Sequence, residues 1–256
     1  ARWNVDFTFE VPDIIKSGVY AARLRINGED SPETEDFIPF VIKPPKGKTT
    51  SKLLFVLPTN SYIAYSNDNL GTNSVVAQLL AGKVPVLSAS DLYLNEHREY
   101  GLSTYSKHSD GTGVAISSRL RPILNMRPKY RHWLSPSLWQ LNADLHLTDW
   151  LEEKNIDFDV VTDEDLHVEG VDLLNRYKCV LTGSHPEYSS EKMLAAYESY
   201  QLNGGRWIYL GSDGFYWISE YHPDNPNIIE VRKGEAGTRA WTANPGEYNN
   251  AFDGKY

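Results

Sequence analysis

Leu53-Leu54-Phe55-Val56-Leu57 is an unbroken apolar run, and Pro58-Thr59-Asn60-Ser61-Tyr62 follows it directly. Apolar residues without alternation mark a strand buried on both faces, the condition of a parallel sheet covered by helices. Three more runs of this kind follow: Phe158-Asp159-Val160-Val161, Cys179-Val180-Leu181 and Trp207-Ile208-Tyr209-Leu210. Helical segments fall between them. Residues 142–154 carry Leu145, Trp150 and Leu151 at spacings compatible with one helical face, with Asp144 and Asp149 on others. Residues 191–202 follow Ser189-Ser190, a good N-cap, and stop before Asn203-Gly204-Gly205. Strands alternating with helices predict an α/β fold on a doubly wound, mostly parallel sheet.

Upstream the period is two. Val19, Ala21, Arg23 and Arg25 alternate with Tyr20, Ala22, Leu24 and Ile26, between the turn signals Ser17-Gly18 and Asn27-Gly28. Phe37-Ile38-Pro39-Phe40-Val41-Ile42 reads as a second strand, at an edge or bulge because of Pro39. Residues 3–11 also read as a strand. These predict the terminal strands of a β-sandwich-like domain over residues 1–48 and an α/β domain over residues 49–256. The Pro-, Gly- and Lys-rich stretch 43–51 reads as the linker. No Met opens the chain and the last residues complete no element, so both ends read as cuts within a longer polypeptide.

The 256 residues suit two unequal parts, and 41% hydrophobic with 23% charged residues is ordinary for a globular protein. No apolar run approaches the length of a membrane-spanning helix. The first residues show no basic n-region followed by an apolar h-region, so they do not read as a signal peptide. Against 34 acidic residues stand 25 basic ones, a net charge of -9 that argues against nucleic acid as partner. The single Cys179 excludes an internal disulfide and a Cys-rich zinc site, and fits a reducing cytoplasm.

Ligands of open α/β sheets bind beyond the carboxyl ends of the strands. That selects residues 58–67, Thr182-Gly183-Ser184-His185-Pro186-Glu187-Tyr188 and Gly211-Ser212-Asp213-Gly214-Phe215-Tyr216-Trp217. Thr162-Asp163-Glu164-Asp165 reads as a helix cap instead. His185 and Glu187, two residues apart, could hold a metal or serve as a general base with its partner; equally, Glu187 could cap the next helix and His185 lie on the surface. Tyr62 and Tyr65 have packing as their ordinary role. The Gly111-Thr112-Gly113 segment lacks the Lys-Ser/Thr of a phosphate loop. Cys179 lies inside its strand, ahead of the turn where a nucleophile belongs, which predicts a buried apolar role. Residues 68–140, long and weakly periodic, read as a functional insertion.

Taken together, four stretches resemble the large (beta) subunit of the N,N-dimethylformamidase family. They are Ser17-Gly18-Val19-Tyr20-Ala21 with Ile38-Pro39-Phe40; Pro58-Thr59-Asn60 running to Ala64-Tyr65; Gly183 to Tyr188; and Gly214-Phe215-Tyr216-Trp217 followed by Gly237-Thr238-Arg239-Ala240-Trp241 and Pro245-Gly246-Glu247-Tyr248. The resemblance implies a mononuclear Fe(III) site held by Tyr65, Tyr105 and Glu187, with Tyr62 the rival of Tyr65. It implies catalytic roles for His185 and for position 213, where it leads one to expect Asn and this chain has Asp213. A further catalytic glutamate would lie beyond Tyr256. Arg232 and Lys233 could lend positive charge or be plain surface residues.

The resemblance also implies a sandwich-like domain ahead of one similar to class I glutamine amidotransferases, a small partner subunit, homo-oligomers and hydrolysis of a small amide substrate to a carboxylate and an amine. Phenolate and carboxylate oxygens are hard ligands suited to trivalent iron, and a cation lowers the pKa of the tyrosines that bind it. The alternative is a metal-free binding or assembly module that keeps the fold; Asp213 is the residue that favours it.

Overall fold

A computed structural model describes residues 4–26, 31, 34–134, 137–235 and 239–252. Trp3, the Asn27-Gly28 turn, Gly237-Thr238 and residues 253–256 lie outside the described residues. In chain order the elements are β1 (Gly18–Arg25), β2 (Glu35–Ile42), β3 (Leu53–Leu57), α1 (Thr59–Ala64), α2 (Ser74–Ala81), α3 (Ala89–Glu96), β4 (Ile116–Ser118), α4 (Leu141–Glu153), β5 (Asp159–Thr162), α5 (Asp163–Glu169), α6 (Val171–Leu174), β6 (Cys179–Thr182), β7 (Tyr188–Ser189), α7 (Glu191–Leu202), β8 (Arg206–Ile208), β9 (Trp217–His222) and β10 (Asn225–Val231).

The four apolar runs become one parallel sheet in the order β5-β3-β6-β8. Successive side chains of a strand point to opposite faces, and here both faces are covered. Leu54, Val56, Val161 and Val180 meet Leu166 of α5, Leu173 and Leu174 of α6, and Met193 and Ala196 of α7. Phe55, Leu57, Val160 and Leu181 meet Leu151 of α4 on the other face. The acidic segment after β5 caps a helix as read: Thr162 and Asp165 form the reciprocal capping box of α5.

The second face is shared with the amino-terminal hairpin. β1 and β2 pair antiparallel, from Gly18↔Ile42 to Arg25↔Glu35. Val19 and Val41 reach into the cluster around Phe55. The Ser17 hydroxyl accepts the Val160 N–H at 2.8 Å. The strand expected over residues 3–11 does not form over residues 4–11. Val5, Phe7, Phe9 and Val11 stay exposed there, because alternation makes a strand only where a neighbouring edge pairs with it, and no pairing is present among the described residues.

A second sheet, β4-β10-β9-β7, was not anticipated by the sequence reading; its short β7 runs parallel to β9 and the other pairs are antiparallel. Between the sheets sits α1, where the sequence suggested a loop. Its Asn60 N–H donates to Asp163 at 2.9 Å, and the Tyr221 hydroxyl donates to the Asn60 Oδ1 at 2.5 Å. The Ser117 hydroxyl of β4 donates to the Ile63 carbonyl at 2.8 Å. These bonds fix the helix from both sides.

His167 of α5 is half-buried; its Nδ1 lies 2.8 Å from the Ser190 hydroxyl. Burial, then the Lys192 ammonium, lowers its pKa to about 4, outweighing the Glu220 carboxylate 3.9 Å away. A base whose folded pKa is depressed contributes stability in full above its unfolded value of about 6.5, and that contribution is lost as pH falls towards 4. His167→Gln is therefore expected to remove up to about 3 kcal/mol of the stability lost between pH 6.5 and 4, read by urea unfolding of both proteins. An unchanged slope of stability against pH contradicts this.

Candidate active site

The carboxyl ends of β3 and β6 lie side by side, and the segments leaving them are stitched together by backbone groups. A methyl group on Gly183 would stand 2.5 Å from Cδ of Pro58 and 2.8 Å from Oδ1 of Asp144, so only glycine lets the two segments come this close. Just past it, the Ser184 N–H donates to Asp144 Oδ1 at 2.5 Å. Tyr62 donates its hydroxyl to the other oxygen of the same carboxylate. Asp144, set on another face of its helix by the sequence reading, is fully buried. Burial raises its pKa, and the bonds from Tyr62 and Ser184 oppose that rise.

Beyond Ser184 the chain is held on both sides. The Glu187 N–H donates to the Ser61 hydroxyl at 3.1 Å, and the Glu187 carbonyl accepts from Tyr216 and Trp217 N–H at 3.0 Å each. Glu187 does not cap α7; Ser190 does. The long insertion supplies the next part. The Thr104 N–H donates to the Ala64 carbonyl at 3.0 Å, and the Trp241 indole donates to the Thr104 carbonyl at 2.7 Å. The Trp241 ring occupies the space where a Cβ on Gly113 would stand. Trp241 thus fixes the turn that presents Tyr105.

Three of the residues singled out as metal ligands converge. The Tyr65 hydroxyl donates to Glu187 Oε2 at 2.7 Å, and the Tyr105 hydroxyl lies 3.2 and 3.3 Å from the two carboxylate oxygens. Their rings stack with centroids 4.3 Å apart. His185 Nε2 is 3.0 Å from Glu187 Oε2. Tyr62, three residues before Tyr65, faces Asp144 instead. Burial, then Tyr188 and Glu187, raises the Tyr65 pKa well above 10; burial, then Tyr188, Tyr65 and Glu187, does the same for Tyr105. Two neutral phenols therefore donate to one carboxylate. Tyr188, whose hydroxyl is 2.6 Å from that of Tyr105, joins the cluster and was not singled out by the sequence reading.

The cluster forms one wall of a cavity of about 300 Å³ that also touches Asp68, His132, Trp139 and Asp213. Asp213 does not join the cluster. It sits exposed on the rim, with a left-handed backbone (φ +49°) that Asn, Asp and Gly adopt most readily. Of the two cations considered, Arg232 pairs with Glu230 at 2.7 Å outside the cluster. Lys233 is wholly buried, with Nζ 3.5 Å from the centre of the Tyr105 ring and no hydrogen-bond partner among the described residues. Burial lowers its pKa to about 7 against the pull of Glu187 and Asp68. Cys179 begins β6, at the end of the strand opposite His185, and burial raises its thiol pKa.

The whole chain, residues 1–256, matches the family described as N,N-dimethylformamidase beta subunit-like, C-terminal, and it belongs to that family. It is 47% identical over 255 residues to the N,N-dimethylformamidase beta subunit of Paracoccus aminophilus and 46% identical over 255 residues to that of Alcaligenes sp. Each match covers 99% of this chain and 32% of the relative, so the chain spans about a third of the length of the curated relatives it matches.

Asp144→Ala leaves the Ser184 N–H and the Tyr62 hydroxyl without their acceptor, and two stranded buried donors predict a loss of roughly 2–5 kcal/mol. Gly183→Ala, which overpacks the same junction, is expected to cost about 1–3 kcal/mol. Chemical denaturation measures both, and wild-type stability in either variant contradicts the role assigned to this junction.

Proposed function

We propose that this chain carries the active site of a dimethylformamidase-like amidohydrolase, an iron-dependent hydrolase that cleaves the C–N bond of a small N-substituted amide such as N,N-dimethylformamide to a carboxylate and an amine. What carries the reading is the convergence of two phenol oxygens and His185 on the buried carboxylate of Glu187, at the carboxyl ends of β3 and β6. Identity of 47% and 46% over 99% of this chain to two dimethylformamidase beta subunits supports it.

The donor set fits a single ferric ion: Tyr65, Tyr105 and Glu187 offer three hard oxygens within hydrogen-bond distance of one another through Glu187, all anionic once the phenols lose their protons. Bound there, the ion would supply Lewis acidity that polarises an amide carbonyl. Lys233, beside the Tyr105 ring, lends positive charge to a cluster that becomes anionic once the phenols lose their protons. His185 donates its Nε2–H to Glu187, so it would take the proton of the attacking water on its other ring nitrogen and return it to the departing amine, since an amine leaves only when protonated. Asp213 contributes at the mouth of the cavity; a carboxylate there accepts a hydrogen bond from water or an amine N–H and donates none. Stacked aromatic rings line the wall and keep bulk water from the carbonyl.

The same reading includes a small partner subunit, assembly into homo-oligomers and a cytoplasmic location. No helix among the described residues is long and apolar enough to cross a membrane. The competing reading is a metal-free binding or assembly module, favoured by Asp213 standing where the resemblance leads one to expect Asn.

Purified full-length protein is expected to show a visible tyrosinate-to-iron absorption band that disappears in Tyr65→Phe or Tyr105→Phe and survives in Tyr62→Phe. Hydrolysis of dimethylformamide should fall by at least roughly 100-fold in Glu187→Gln and His185→Gln. Protein that stays colourless after aerobic iron loading overturns the iron reading and brings the binding module forward.

A further inference from the structure

Tyr65 and Tyr105 reach Glu187 from segments far apart in sequence, and neither lies in a regular element. Tyr65 is the residue after α1, and Tyr105 belongs to the insertion. Arg121 joins the two segments. Its Nη2 donates to the Ser66 carbonyl at 3.0 Å, and its Nη1 donates to the carbonyls of Leu102 at 2.9 Å and Tyr100 at 3.5 Å. Its Nε donates to the Ser118 carbonyl at 3.0 Å, and Nη2 also reaches the Ser117 hydroxyl at 3.0 Å. One planar group thus holds the residue after Tyr65, the approach to Tyr105 and β4 at fixed separations.

A guanidinium carries five N–H donors in a rigid fork, and these five contacts answer them without a carboxylate. Burial lowers its pKa to about 10. An ion withdrawn from water with no counter-ion is costly, so what Arg121 contributes is geometry. The chain makes room for it. Gly101 has φ +88°, and a Cβ there would stand 2.7 Å from Arg121 Nη1.

Two buried asparagines brace the same junction. The Asn125 side chain donates to the Tyr65 carbonyl at 2.8 Å and accepts the Asn67 N–H at 2.8 Å. The Asn67 side chain donates to the Pro122 carbonyl at 2.8 Å and the Tyr100 carbonyl at 3.2 Å. The bonds from Thr104, by contrast, both end on one atom, the Ala64 carbonyl oxygen. A tie at one atom sets how close two segments come and lets them turn about it. The ties from Arg121 to Ser66 and Leu102 stop that turn, and the rings stack with both hydroxyls on Glu187.

We propose that Arg121 is a positioning residue of this site, setting Tyr65 against Tyr105 through the Ser66 and Leu102 carbonyls so that both phenol oxygens reach one carboxylate. Its effect on a metal rests on the ferric reading; its effect on the two rings does not. Groups that orient metal ligands from behind typically cost 10–100-fold in metal affinity when they are changed.

Fluorine NMR of the full-length protein, stripped of metal and carrying 3-fluorotyrosine at position 105, reads the Tyr65 ring stacked beside it. Tyr65→Leu marks the resonance without that ring. Arg121→Met is expected to move the resonance towards that mark. Arg121→Lys, which keeps the charge and the stem, is expected to move it too, because an ammonium cannot span the carbonyls. Leu174→Ala, a core truncation in α6, is expected to lower stability and leave the resonance in place. Ferric nitrilotriacetate, titrated into the unlabelled proteins, is expected to bind both Arg121 variants roughly 10–100-fold more weakly than the native chain.

A resonance that keeps its native position in Arg121→Lys overturns the proposal, whether or not Arg121→Met folds. An equal movement in Leu174→Ala overturns it as well, since loss of stability would then account for both. A moved resonance in a protein whose native form binds no ferric iron upholds the positioning role and sinks the iron reading. Native iron binding with an unmoved resonance does the reverse.

Discussion

A carboxylate removed from water must be met by donors, and Glu187 is met by three: the hydroxyls of Tyr65 and Tyr105 and the ring of His185. Much of the surrounding architecture serves that meeting. Tyr65 ends a six-residue helix too short to persist alone, so it is clamped between two sheets through Asn60, Ser61 and Ile63. Tyr105 comes from an irregular insertion, pinned to the Ala64 carbonyl and covered by Trp241. His185 and Glu187 share one turn after β6, whose path depends on a glycine and on the buried carboxylate of Asp144. Three segments distant in sequence are thereby brought to one point.

The electrostatics of the cavity follow from the same constraint. Burial keeps the phenols protonated while they donate to Glu187, and it lowers the pKa of Lys233 beside them. Removing protons from the phenols is favourable only if a positive charge arrives at their oxygens. A cluster of this kind is unfavourable as a purely structural core, since an apolar packing of equal volume would be cheaper. It makes sense as a site that waits for a cation.

How much of this could be read from the chain depends on the range of the interactions. The parallel strands were legible because both faces of each are buried and the apolar runs are unbroken. Helices α5 and α7 were legible through their caps, Thr162 with Asp165 and Ser190. The second sheet was not, because its strands are short and one face of β9 pairs polar with aromatic residues. Residues 4–11 show the opposite error, a period-two pattern without a pairing edge. Within the site, motif resemblance pointed to Tyr65, Tyr105, His185 and Glu187, and the structure gathers all four, while Asp213 stays at the rim. Asp144 escaped because its chemistry comes from burial that neighbouring residues do not signal; Lys233 was named as a possible source of positive charge, and for the same reason its burial beside Tyr105 was not legible.

The central claim is that these oxygens hold iron. X-ray absorption at the iron edge of the purified full-length protein tests it most directly. The account predicts stoichiometric ferric iron, a first shell of oxygen donors without sulfur, and no scattering from a coordinated imidazole, since His185 contacts Glu187 as a proton carrier. A shell containing sulfur or imidazole nitrogen, or protein that holds no stoichiometric iron, would contradict it.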